Sequence, residues 1–253
     1  MFSRIKTVSL KLTPVVLGMF LVACSGGGGG SSSGNPSQGT GKKLSPGGYL
    51  TTITSEDGSI EEAVSLLSPT GKFVTYYFFD DISIGTLEFG ASGSISGSGQ
   101  DIYFDGTSWQ SVPGSLSGQV ETPGKATLSP DIPGVETSAV FERENQFSDS
   151  GITMMELSGT YSMSGSIVHT TAVTIAEDGT LTGSDETGCV FNGSTTIPET
   201  QYNVFELIFE ASNCSDALRN GRFAGLGAYD SELGELSFAG TDNEVTAVFI
   251  GTK

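Results

Sequence analysis

An all-β chain built from two tandem antiparallel units is the fold class this sequence predicts, on three observations. Gly supplies 36 of the 253 residues while charged residues make up only 16%. That much Gly breaks helices, and no Ala/Glu/Lys/Leu enrichment is present to build them. Short runs rich in Val, Ile, Thr, Phe and Tyr alternate with Gly, Asp-Gly, Pro-Gly or Ser-Gly turns, which is strand-and-turn patterning. A Gly/Ser-rich string also recurs in the two halves, as described below. The glycines keep no three-residue period, which excludes collagen, and the regular apolar runs exclude global disorder.

The chain opens on a segment of a different kind. Arg4, Lys6 and Lys11 precede an apolar stretch, Leu12 to Val22, broken by Thr13, Pro14 and Gly18. Eleven residues are too few for a hydrocarbon core that needs about twenty, so residues 1–23 read as a signal peptide. The run Leu21-Val22-Ala23-Cys24 resembles the lipobox of bacterial lipoproteins. That resemblance implies that Cys24 becomes the mature N-terminus and carries a thioether-linked diacylglycerol and an N-acyl chain such as palmitate. Ser25 in place of Asp is similar to lipoproteins sent on to the outer membrane. Several acyl chains on one residue anchor stably, at about 0.8 kcal/mol per buried CH₂. Residues 24–47, with Gly26 to Gly30 and further Ser/Gly, cannot bury a core and read as a flexible tether. As a coil, the tether spans about 25–30 Å r.m.s..

Strands are expected from Gly48 onward. In the first unit, residues 48–145, they are Tyr49 to Thr54, Lys72 to Phe79, Ile84 to Phe89, Gly99 to Phe104, Ser115 to Val120 and Glu136 to Glu142. Residues 146–158 form a connector with a possible short helix at Ile152 to Leu157. In the second unit, residues 159–253, they are Thr160 to Ser164, His169 to Ala176, Thr180 to Ser184, Cys189 to Thr196, Val204 to Ala211, Arg222 to Tyr229, Glu235 to Phe238 and Val245 to Ile250. Asp57-Gly58, Asp105-Gly106 and Asp178-Gly179 supply positive-φ turn positions. Ser59-Ile60-Glu61-Glu62 has capping-box spacing and could open a helix, but the following Ser68-Pro69-Thr70-Gly71 favours a hairpin.

The recurring string runs from Gly93 to Gly106 and again, with one insertion, from Gly179 to Gly193. A matching start appears at Gly48-Tyr49 and at Gly159-Thr160-Tyr161. Chance likeness of Gly/Ser-rich strings is the competing explanation. Two units of this size hold enough strands that an open sheet would expose aggregation-prone edges, so each closes into a small barrel or a two-layer sandwich. With Cys24 lipidated, Cys189 and Cys214 remain as a pair in an oxidising compartment, and a disulfide is expected. A metal pair is the alternative, but no His or further Cys lies nearby to complete a tetrahedral site.

The string from Glu177 through Cys189 to Gly193, then Asn203-Val-Phe-Glu-Leu, Asn213-Cys214 and Asn220-Gly-Arg-Phe-Ala-Gly, resembles a pattern in uncharacterised Gram-negative lipoproteins with no assigned activity. The polyglycine tether and terminal Ala247-Val-Phe-Ile-Gly-Thr-Lys are more loosely similar to the barrels of transferrin-binding and factor H-binding surface lipoproteins. No binding residue carries across from the latter, whose composition is basic.

Twenty-nine acidic residues oppose 11 basic ones, for a net charge of −18. Phosphate backbones and anionic lipid surfaces repel such a body, so nucleic acid is not an expected partner, while proteins and cationic ligands remain open. No catalytic constellation emerges. His169, the only His, sits in a Thr-rich run, and the one Gly-x-Ser-x-Gly match, Gly30 to Gly34, falls in the tether. Asp80-Asp81, Glu177-Asp178, Asp185-Glu186 and Glu142 with Glu144 read as solvated turn acids rather than a converging pair. Asp178 to Asp185 and Asp230 to Glu232 lack the spacing of a calcium loop, so neither metal nor cofactor is expected.

The recognition candidates are aromatic. In Phe73-Val-Thr-Tyr-Tyr-Phe-Phe79, alternation puts Phe73, Tyr77 and Phe79 on one face and Tyr76 and Phe78 on the other, so both faces need covering. Contact between the two units is the simpler cover, and a partner the alternative. Trp109, expected in a polar loop, is a further partner-contact candidate. The sequence thus suggests a non-enzymatic binding or structural module anchored at the outer membrane, its face undetermined. The alternatives are a hydrolase of envelope or extracellular polymers and, if one barrel is hollow, a small-molecule carrier.

Overall fold

The computed structural model describes residues 42–78, 80–131, 136–165 and 169–253. Eight antiparallel strands close the first barrel: β1 (Gly47–Thr54), β2 (Ile60–Leu67), β3 (Lys72–Phe78), β4 (Asp81–Phe89), β5 (Ser94–Phe104), β6 (Trp109–Thr122), β7 (Lys125–Pro130) and β8 (Ser138–Arg143). Two single-turn helices, α1 (Asn145–Ser148) and α2 (Met154–Leu157), lead to the second barrel. Its strands are β9 (Gly159–Met163), β10 (Thr171–Ile175), β11 (Thr180–Asp185), β12 (Val190–Thr196), β13 (Phe205–Ser212), β14 (Gly221–Asp230), β15 (Glu235–Thr241) and β16 (Thr246–Thr252). Each barrel runs up and down, every strand pairing with its sequence neighbours and the last with the first, so neither has a free edge. The choice between barrel and sandwich therefore falls to the barrel.

One turn chemistry recurs in five of these hairpins. At Ser55–Ser59, Ser68–Lys72, Gly90–Ser94, Ala176–Thr180 and Asp185–Cys189, the first N–H donates to the last carbonyl. In each, the glycine before the last residue donates back to the first carbonyl. Those glycines, 58, 71, 93, 179 and 188, all have φ between 81° and 96°. This is the three-residue hairpin loop with a glycine in the left-handed position. The likeness between Gly93–Gly106 and Gly179–Gly193 falls on the fifth strand of one barrel and the third of the other, so the barrels are not in register along it. What the two segments share is this turn. A truer correspondence lies at the barrel starts, where the Tyr49 hydroxyl donates to Ser45 O and the Tyr161 hydroxyl to Leu157 O at 2.6 Å.

The hairpin favoured over a helix at Ser59 is what forms: Ile60 to Leu67 is strand throughout, with Val64 and Leu66 paired to Tyr76 and Val74 of β3. Other expectations shift. Trp109 opens β6 rather than sitting in a loop, and His169 precedes β10 instead of lying within a strand. β7 was not legible as a strand at all. Cys24, the signal peptide and most of the tether lie outside the described residues. Within the tether's expected range, Leu44 is already buried in the first barrel's core, and the Ser45 N–H donates to Pro123 O.

The strand registers fix which side chains face inward. In the first barrel one end is apolar, filled by Leu44, Tyr49, Leu67, Phe73, Val120 and Phe141 among others. Towards the other end the filling turns polar: Ser65 bridges Thr51 and Thr75 through hydroxyl hydrogen bonds of 2.6 and 2.7 Å. The outward face of β2–β5 is apolar as well, and it packs on the second barrel. Leu66, Val74, Ile82 and Ile102 form one buried cluster with Val204, Leu226, Ala228 and Ala239. A polar clasp borders it. Glu206 of β13 accepts from the Ser68 hydroxyl at 2.6 Å and pairs with Lys72 Nζ at 2.5 Å.

Candidate ligand-binding site in the second barrel

A cavity of about 200 Å³ occupies the second barrel. Its wall follows from register. Phe209 on β13 pairs with Phe223 on β14, and Phe238 on β15 pairs with Phe249 on β16, all inward. The first pair stacks with centroids 5.2 Å apart and planes 9° apart, and the second at 5.2 Å and 14°. Phe209 meets Phe238 edge-on at 6.1 Å, and Phe191 of β12 meets Phe209 edge-on at 5.8 Å. Cross-strand aromatic pairs of this kind stabilise sheets beyond their buried area. Between the two stacks lie Gly225 and Gly240, paired across β14 and β15. A Cβ on Gly225 would stand 2.0 Å from Ala239 O, so close backbone approach at this corner requires glycine.

The far end is closed. Tyr161, Ile175, Phe205 and Leu236 are fully buried, and the Lys253 ammonium lies 5.2 Å and 4.9 Å from the ring centroids of Tyr161 and Tyr229. The near end opens past half-exposed Met163, Arg219, Thr246 and Ala247. Arg219, in a short 3₁₀ helix (Ala217–Arg219), donates to Asp185 Oδ2 at 2.6 Å and to Thr187 Oγ1 at 3.0 Å. Asp185 also accepts from the Thr187 amide and hydroxyl and from the Cys189 amide. Burial alone would raise its carboxyl, but bonds from Thr187 and Arg219, with the guanidinium's charge, hold it below the usual carboxylate range. The expected disulfide joins Cys189 to Cys214 and ties the loop that carries Arg219 to the β11–β12 turn. His169 stands on the rim, its Nδ1 3.4 Å from Glu186.

The aromatic residues singled out from the sequence lie elsewhere. Tyr76 packs against the inter-barrel cluster, close to Glu235 and Ser237 of β15. Trp109 is half-buried, touching both that cluster and the second barrel's core, with Phe104 5.7 Å away. The side chain of Phe78, and Phe79 altogether, lie outside the described residues. Phe73 and Tyr77 face into the first barrel, as alternation requires. The five lumen phenylalanines were read only as strand residues, because alternation shows which side chains face inward but not whether they fill the space.

Neither Asp185 nor Asp81 is the solvated turn acid that the sequence suggests: Asp185 is buried, and Asp81 lies on β4 in an acidic grouping. At the polar end of the first barrel, Asp81 is pushed up to about 7 by burial and then by Asp101, Glu61 and Asp80. Burial also raises Asp101 and Glu61. The Ser83 hydroxyl donates to Asp101 at 2.5 Å and shares a 3.0 Å bond with the Tyr77 hydroxyl. Among the described residues no group of three or more His, Cys, Asp or Glu could hold a metal ion. Neither family models, nor curated proteins, nor solved structures match this chain.

Proposed function

We propose that this protein is an envelope lipoprotein that binds a small apolar ligand in the lumen of its second barrel. The observation that carries the reading is the phenylalanine-walled cavity, closed at one end and open at the other. Concave, largely apolar pockets with a few polar groups at one side are the usual form of small-molecule sites. The lipid on Cys24 and the outer-membrane address belong to the same proposal, supported by the Leu21–Cys24 resemblance and Ser25. The tether then holds a binding module off the bilayer.

Titration of the full chain carrying Cys24→Ala, purified without detergent, with a naphthalene-type polarity-sensitive fluorophore tests the site. Saturable enhancement that is lost in Ala247→Trp, which plugs the mouth, is the expected result. Enhancement that survives in a folded Ala247→Trp protein refutes it. The anchor is tested separately by radiolabelled palmitate incorporation, expected in the wild type and absent from Cys24→Ala. Protease shaving of intact cells then reports which face of the outer membrane carries the module.

A further inference from the structure

We infer that the second barrel's lumen selects an uncharged, compact aromatic compound of one or two fused rings bearing a hydrogen-bond acceptor at its outer end. This deepens the reading above and rests on it. Size comes first: a cavity on the order of 150 Å³ suffices for benzene, and drug-sized ligands need roughly 300 Å³ or more. At about 200 Å³ this lumen lies between the two. Shape comes second. Two stacked phenylalanine pairs set edge to face present flat walls, which offer offset-stacked and edge-on partners to a planar ring. A long alkyl chain gains nothing from that geometry, and the plug of Tyr161, Phe205 and Leu236 stops it from running deeper.

Charge decides the rest. The lining's cationic side chain, Arg219, is already held by Asp185, and His169 faces Glu186 across 3.4 Å, so no surplus positive charge awaits an anionic head. A net charge of −18 also works against anions. A cation finds no carboxylate along the lining, which apart from Arg219 and His169 is Phe, Val, Leu, Ala, Met and Thr. Asp185 is fully buried and saturated by its four donors. Thr187 and Asp185 take two of the five N–H groups that a guanidinium carries. An acceptor at the ligand's outer end, such as a ketone or ester oxygen, therefore meets a donor.

The test is calorimetric titration of the Cys24→Ala chain with four probes: 2-acetylnaphthalene, 2-naphthoate, 2-naphthylmethyl-trimethylammonium and 1-decanol. 2-Acetylnaphthalene is expected to bind about tenfold or more tightly than the charged or linear probes, since an unpaired charge is costly to bury. Two plugging variants, Ala247→Trp and Ala211→Phe, should abolish binding. Amide shifts in labelled unsubstituted protein, expected at Phe209, Phe223, Phe238 and Phe249, locate the probe even if a plug impairs folding. If another probe binds best and shifts those same amides, the ligand class is overturned while the site stands. If no probe binds, or the shifts fall elsewhere, the site reading itself is overturned.

Discussion

The Thr195 hydroxyl is buried without a hydrogen-bond partner among the described residues. Thr195 faces inward on β12 opposite Leu207, where an unpaired polar atom costs about 1–3 kcal/mol. Thr195→Val keeps the shape and removes the polar atom, so it should stabilise the protein by roughly 1 kcal/mol in urea unfolding. A destabilised variant would mean that the hydroxyl has a partner after all. Asp81 makes a second prediction at this scale. Its folded-state carboxyl titrates near 7 against an ordinary value of 3.8, so the folded protein holds the proton more tightly than the unfolded chain. Stability must then fall as pH rises through that window and recover as pH drops towards 4. Asp101 and Glu61 shift in the same direction and reinforce it. Asp185 and Glu206, held below their usual range, are ionised in both states above about pH 5 and add no slope there. Melting at about pH 5.5 should therefore lie above melting at about pH 8, and Asp81→Asn should shrink the gap. An equal or lower melting point at the acidic value would refute the acidic cluster's strain.

Among the elements, the recurring hairpin glycine separates backbone cost from steric cost. Gly58 has φ +81° and nothing within 4 Å of an added Cβ, while Gly179 has φ +85° and Thr195 O at 2.5 Å. Gly58→Ala should cost only the left-handed penalty, about 1–2 kcal/mol, and Gly179→Ala distinctly more in chemical unfolding. Equal costs would show that the Thr195 carbonyl gives way easily. The disulfide acts on another element. It spans 25 residues of sequence, so Cys214→Ser should lose about 3.5 kcal/mol by loop closure and free the segment that carries Arg219. Thermal melts with and without reductant check this, since reductant should shift the wild type towards the variant and leave the variant unmoved.

What could be read in the sequence follows the same physics. Turn glycines and apolar runs marked nearly every strand, because both signals are local. β7 escaped because Lys-Ala-Thr-Leu-Ser-Pro carries little strand preference, and its pairing with β6 and β8 makes it a strand. β6 was seen only from Ser115, since Pro113 and Gly114 read as a break. Pro113 is tolerated there because β7 pairs with β6 only from Leu116, so Pro113 has no β7 residue opposite it to bond. The disulfide was legible by counting cysteines. The cavity was not, because five strands supply its five rings, one each, and only closure brings them face to face.

At the scale of the whole molecule, the two barrels meet across a buried apolar cluster and not only through the connector. Leu66, Val74, Ile82 and Ile102 lose their water only when Leu226, Ala228 and Ala239 are in place. Each buried aliphatic side chain of this kind contributes about 1.5–3 kcal/mol relative to exposure, so unfolding one barrel exposes a face that the other needs covered. The Glu206 clasp adds to this linkage: burial would raise its carboxyl, but Lys72, Ser68 and Thr70 hold it below its ordinary range. Differential scanning calorimetry of the oxidised protein should therefore give one cooperative transition rather than two. Leu226→Asp places a charge in the interface, and it should split the trace in two without changing either barrel's inward-facing side chains. Glu206→Ala should broaden the transition and move it less, since Lys72 is half exposed and the clasp lies at the edge. Two resolved transitions in the wild type would mean that the barrels are energetically independent. A single transition in Leu226→Asp would locate their coupling elsewhere, in the connector that carries α1 and α2. If the coupling does run through the interface, filling the second barrel's lumen with ligand should raise the melting temperature of the first barrel together with its own. In Leu226→Asp the same ligand should raise only the second.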